Sequence, residues 1–171
     1  PTLEQSNDTL AESLTEDGYQ TAVTMGTDYF ERVAHFFQGF GQVNELPRYR
    51  PPRRRPVSAG LKQLDRLQKS GKLWMLWVHL FNVHEEYLWD DEPSKFGDRP
   101  IDAYDTEITF ADREVGRLLD ALEERGLSDD TIVIFTSDHG EAFGEHGDRG
   151  HSFTLYEEEL RVPLMVRIPG V

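Results

Sequence analysis

The sequence predicts an α/β fold in which a mostly parallel sheet carries helices on both faces. Three observations point to it. Residues 73–80 (LWMLWVHL) and 131–135 (TIVIF) are short apolar runs without alternation, as strands buried on both sides require. Each follows a segment with helical apolar periodicity, and each of those segments is closed by a glycine, Gly71 and Gly126. Strands alternating with helices of this length connect by right-handed parallel crossovers.

In chain order, Asp8 or Thr9 caps a short helix through Leu14 that stops by Gly18, and residues 19–25 form a strand. Residues 27–37 are expected to be a second helix. Residues 47–56 (PRYRPPRRRP) cannot continue a helix or an interior strand, because proline lacks the donor and fixes φ, so they form an exposed Arg/Pro loop. Its five arginines could recruit an anion, but a solvated connector is the simpler reading. Ser58 starts a helix with Leu61, Leu64 and Leu67 on one side and Lys62, Asp65 and Arg66 in water. In the helix over 104–125, Ile108, Ala111, Val115, Leu118, Leu119 and Leu122 trace the stripe expected to face the core, with Glu107, Glu114, Arg117 and Glu124 away from it. Glu157 to Glu159 are expected on the exposed face of a short helix, before a strand within 161–166.

At 171 residues and 37% hydrophobic content, the chain can bury one sizeable core and gives no sign of a second domain. A net charge of -14 argues against a broad nucleic-acid surface, which phosphates would be repelled from, so an anionic ligand must be small and held locally. The absence of cysteine removes disulfides, thiolate metal sites and a cysteine nucleophile together. No apolar run reaches the eighteen residues of a membrane span.

Asp138 and His139 follow the strand at 131–135, and in open α/β sheets ligands gather outside the carboxyl ends of strands. A carboxylate beside an imidazole suits one divalent ion, Mn²⁺ or Zn²⁺, and admits Ca²⁺ or Mg²⁺ if more oxygens join. Taken alone, Asp138 reads first as a helix cap and His139 as a surface histidine, and it is the surrounding sequence that favours a metal. Gly140 lets the backbone turn away. His84 lies past the other apolar strand, where an imidazole can hydrogen-bond an oxyanion or protonate a leaving group; packing on Tyr87 or Trp89 is the alternative. His79 reads as a satisfied interior histidine and His146 as a solvated loop residue.

The block TSDHGEAFGEHG followed by GHSFTLYEEELRVPLMVRIPG resembles the metal-binding signature of the sulfatases, in the alkaline phosphatase superfamily. Residues 3–21 resemble the family's "tLae.L...GY.T" segment, residues 37–40 its "qGFd" turn, residues 76–87 (LWVHLFNVHEEY) its "F..pH.PY" strand and loop, and residues 104–127 the helix before the metal strand. Nearly the whole chain is covered. The resemblance implies Asp138 and His139 as metal ligands, and His84 and His151 as catalytic and substrate-binding residues for a small anionic ester. It implies a metal-dependent sulfuric ester hydrolase whose parent is often exported.

The departures are informative. Where many sulfatases place a lysine, this sequence has His151, as phosphoethanolamine transferases do, and where calcium sulfatases follow the metal aspartate with asparagine, it has His139. Phosphodiesterase, phosphonate monoester hydrolase or phosphoethanolamine transferase chemistry therefore stays open, as does a non-catalytic binding module derived from the fold. The C-x-P-S-R-like nucleophile motif and the paired acidic ligands before it are absent. Residues 1–171 are accordingly expected to be an internal part of a single sulfatase-like catalytic domain, with no nucleophile of their own and without the smaller C-terminal subdomain.

Overall fold

A computed structural model of the chain describes residues 4–47, 55–84, 87, 96–152 and 154–170. The first helix, α1 (Leu10–Glu16), begins at a capping box: Glu12 N–H donates to Thr9 Oγ1 at 3.1 Å and Thr9 N–H donates to the Glu12 carboxylate at 3.0 Å. Gln38 Nε2 donates to the same carboxylate at 2.9 Å, and these donors hold the Glu12 pKa below the usual carboxylate value, Gln38 most of all.

The core is a three-stranded parallel sheet in the order β2-β1-β3, formed by β1 (Gln20–Met25), β2 (Gln42–Glu45) and β3 (Trp74–His79). Ala22, Val23 and Met25 in its centre are fully buried. Helix α2 (Arg55–Lys69) lies on one face, where the Thr24 hydroxyl donates to Gln63 Oε1, and α1 lies on the other, where Thr15 and Thr21 hydroxyls meet over the Gly39 carbonyl. Gly60 sets the α2 approach: a Cβ there would come within 2.7 Å of Val78 Cγ2. The expected parallel sheet with helices on both faces is present.

Several elements differ from the sequence expectation. Residues 27–37 form a 3₁₀ turn (Tyr29–Arg32) and further turns, with His35 at φ 62°. Phe30 and Phe36 stack at 4.2 Å, with Phe30 edge-on to His79 and Phe36 tilted against Trp77. Residues six apart in an α-helix lie some 240° around the axis, so a helix could not bring these rings together. The polar QVNE segment gave no strand signal, yet pairs as β2. Helix α2 starts at Arg55, three residues before Ser58, with Pro56 buried in its first turn where the missing N–H costs nothing. The rest of the expected Arg/Pro loop, 48–54, lies outside the described residues.

Helix α3 (Pro100–Glu124) departs in part from the expected stripe: Leu122 is buried and Glu124 exposed as expected, but the docked face is rotated toward two of the glutamates. Glu107 and Glu114 are buried, while Ile108 is 43% exposed. The carboxylates are tolerated because they are partnered: Asn82 Nδ2 donates to Glu107 at 3.4 Å, and Arg117 pairs with Glu114 while its other nitrogen donates to Ser58 Oγ on α2. Arg125 adds an ion pair to Asp65 of α2 at 2.9 Å.

The chain then runs through β4 (Val133–Thr136), β5 (Ala142–Phe143), β6 (Arg149–Gly150), α4 (Glu157–Leu160) and β7 (Leu164–Arg167). The strand expected at 131–135 to be buried on both faces of the parallel sheet instead pairs antiparallel with β7, and its exposure alternates. Ile134 lies opposite Val166 and Thr136 opposite Leu164. Ile132, Ile134, Leu164, Val166 and Ile168 are all exposed. β5 and β6 form a short antiparallel pair. Among the described residues no helix is long and apolar enough to cross a membrane.

Candidate active site

Each expected site residue follows the end of a strand. His84 lies five residues past β3, Asp138 and His139 two and three past β4, and His151 directly after β6. The three imidazoles converge: His139 and His151 stack with centroids 4.0 Å apart, and His84 meets His151 edge to face at 4.9 Å. His84 also stacks on Phe81 at 4.4 Å, a packing partner other than the Tyr87 or Trp89 alternative; Trp89 lies outside the described residues.

Backbone contacts hold the cluster. Gly140 N–H donates to the Glu159 carbonyl at 2.7 Å, and a Cβ on Gly140 would sit 2.1 Å from the Glu158 carbonyl oxygen. Gly140 is therefore required for close approach, not for the sharp turn that the sequence implies. Ser152, at φ 76°, donates its N–H to the Glu159 carboxylate at 2.8 Å, and the Thr154 hydroxyl donates to the other oxygen. Glu159 is thus buried rather than on the exposed helix face expected for it.

The donor pair Asp138 and His139 fits a divalent ion as part of a site. His139 Nδ1 lies 2.8 Å from the Gly140 carbonyl. A carbonyl can only accept, so Nδ1 carries the proton and the lone pair sits on Nε2, the arrangement that backbone partners impose on metal-binding histidines. Nε2 lies 3.9 Å from Asp138 Oδ1, and Asp138 is exposed enough for a small rotation to close on a shared ion. Among the described residues no group of three His, Cys, Asp or Glu side chains is placed to hold a metal, so this pair would need further ligands.

Two other histidines depart from expectation. His79 is interior, but its Nδ1 has no hydrogen-bond partner among the described residues; burial pushes its pKa down, partly offset by the charge of Asp138. His146 is not simply solvated: its ring stacks on Tyr156 at 3.8 Å and its Nδ1 lies 2.8 Å from Glu158 Oε1.

Residue type and spacing missed Glu141, Tyr87 and Glu159. Glu141 is 8% exposed, with Oε1 3.0 Å from His151 Nδ1 and Oε2 accepting the Tyr87 hydroxyl at 2.8 Å. Tyr87 and Tyr104 pack edge to face, and burial followed by the nearby Glu141 charge raises the Tyr104 pKa. The sequence signal for Glu141 was its place in DHGE, but nothing there shows that the carboxylate turns inward.

The sequence profile of the Sulfatase family matches residues 1–171. Among curated proteins, the iduronate 2-sulfatase of Mus musculus is 38% identical over 78 residues, covering 46% of this chain and 14% of its own length. The endo-4-O-sulfatase of Bacteroides thetaiotaomicron is 26% identical over 178 residues, covering 90% of this chain and 35% of its own. The chain thus spans well under half the length of these relatives. Among solved structures, the lipoteichoic acid synthase LtaP of Listeria monocytogenes has a TM-score of 0.74 at 18% identity, over 94% of this chain and 46% of that one. The C-terminal periplasmic domain of EcEptC from Escherichia coli has a TM-score of 0.74 at 16% identity, over 97% and 53%. At that identity both show the fold alone.

Proposed function

The chain belongs to the sulfatase family, and from that premise we propose that it supplies part of the active site of a metal-dependent sulfuric ester hydrolase acting on a small anionic ester. The observation that carries the reading is the convergence of His84, His139 and His151 beside Asp138. The name of the iduronate 2-sulfatase supports a sulfated sugar as the substrate class.

In this proposal Asp138 and His139 Nε2 hold one divalent ion, Mn²⁺, Zn²⁺ or Ca²⁺, with Mg²⁺ also admitted. Such an ion, when bound, would polarise the ester oxygens and favour a deprotonated nucleophile. His84 and His151 lie against each other, where an outward ring N–H can hydrogen-bond the sulfate oxygens and offset the charge that grows there in the transition state. An imidazolium N–H on either ring can also protonate the leaving oxygen. Phe81 behind His84 restricts its rotation, which favours catalysis by orientation. No cysteine in the sequence could become a formylglycine, so the attacking group is not assigned to this chain.

Because an imidazole hydrogen-bonds sulfate and phosphate alike, His151 in the lysine position keeps phosphoryl or phosphonate ester chemistry as the second reading. The test is calorimetric titration of Mn²⁺, Zn²⁺ and Ca²⁺ into the chain and its Asp138→Ala variant, with turnover assays on an aryl sulfate ester and an aryl phosphodiester. Weak binding that Asp138→Ala abolishes, with no significant turnover by the chain alone, is expected. Identical titrations for the two proteins would remove the metal assignment. Robust aryl sulfate turnover, lost in the variant, would instead overturn the view that the chain lacks its nucleophile.

A further inference from the structure

We infer that Glu141 is a positioning residue that fixes the tautomer and ring orientation of His151; this rests on the reading of His151 as a substrate-binding histidine. The carboxylate is shielded from water and bridges two donors: His151 Nδ1 at 3.0 Å from Oε1 and the Tyr87 hydroxyl at 2.8 Å from Oε2. The His151 side chain is itself only 14% exposed, so the ring has little freedom to exchange this partner for water.

An ionised carboxylate has no proton to give, so Nδ1 carries the hydrogen in the neutral ring and the lone pair lies on Nε2. The dependence is mutual. Turning the ring over would leave a buried carboxylate facing a carbon edge, an uncompensated charge, so Glu141 disfavours every other ring orientation. His139 stacked on one face at 4.0 Å and Ser152 tied to Glu159 close off the remaining movements. The result is one nitrogen committed to the protein and the other, Nε2, turned outward: a proton acceptor in the neutral ring, and an N–H donor to an oxyanion or a leaving group once the ring carries a second proton. This is how a carboxylate behind a histidine contributes to catalysis without touching substrate.

The test uses the full chain labelled with ¹⁵N-histidine, read by long-range ¹H–¹⁵N correlation, first under conditions where the rings are neutral, to read the tautomer, and then in more acidic buffer where protonated rings present N–H donors, with inorganic sulfate as the probe. In the unaltered chain His151 is expected as the Nδ1–H tautomer. Glu141→Ala should lose that tautomer in favour of Nε2–H, the form a neutral imidazole takes once the carboxylate no longer holds Nδ1–H. Thermal melts check that the variant folds. If it does not, Tyr87→Phe decides: loss of one donor should broaden the His151 signals by loosening the carboxylate. An unchanged His151 tautomer in folded Glu141→Ala, or unchanged His151 signals in Tyr87→Phe, overturns the inference. Sulfate that moves neither His84 nor His151 in the unaltered chain would defeat the substrate-binding reading, while the tautomer would still report on Glu141.

Discussion

Gly140 concentrates the constraints of the site in one residue. Its N–H holds the Glu159 carbonyl, and no side chain fits between it and residue 158. Gly140→Ala must push the 138–140 loop away from α4, and is expected to destabilise the fold by about 1–3 kcal/mol, as overpacking does. Urea unfolding measures the loss, and an unchanged midpoint would contradict the close approach. His79 gives a prediction of opposite character. Burial lowers its pKa in the folded state, so the unfolded chain binds the proton more readily, and stability is lost as pH falls through the unfolded value near 6.5. His79→Phe should flatten the dependence of the urea midpoint on pH across that window. At this scale the gathering of Asp138, His139, His84 and His151 was largely legible in the sequence, because they are unusual residue types at strand ends. Glu141 and Glu159 were not, since a glutamate in a glutamate-rich chain reads as solvated until packing turns it inward.

Among the elements, α1 was read almost to the residue because its signal is local: a threonine, a glutamate three positions on, and a bond between them. Thr9→Ala should cost about 1 kcal/mol by thermal unfolding. Glu12 adds a pH signature. Its pKa is lowered in the fold, so its contribution is present above the unfolded value, about 4.3, and is lost as pH falls through the folded value. The Tm difference between the unaltered chain and Glu12→Gln should therefore shrink in acid, and a constant gap would contradict the capping box. α3 teaches the converse lesson. Its apolar stripe was visible in the sequence, but the burial of Glu107 and Glu114 beside it was not, because it depends on Asn82, 25 positions from Glu107, and on Ser58, 59 positions from Arg117. The aromatic segment at 27–37 failed as a helix for a similar reason: Trp77 and His79 on β3 collect its rings.

Across the whole molecule, the α/β class followed from alternation, but the division of strands between sheets did not. β4 carries the composition of an interior parallel strand, yet meets its partner β7 some thirty residues later, in antiparallel register. The two strands and the residues flanking them present Ile132, Ile134, Leu164, Val166 and Ile168 to solvent, a patch of the kind that associates. With a net charge of -14 opposing contact, self-association by sedimentation should increase with salt as that repulsion is screened. Val166→Lys should suppress it, and salt-independent monomers would count against an associating face. The Glu159 clamp has its own large-scale consequence. One residue receives the amide of Gly140 through its carbonyl and that of Ser152 through its carboxylate, so neither loop can breathe while the other stays shut. In hydrogen exchange those two amides, twelve positions apart, should open with a single rate, as one cooperative unit of local unfolding.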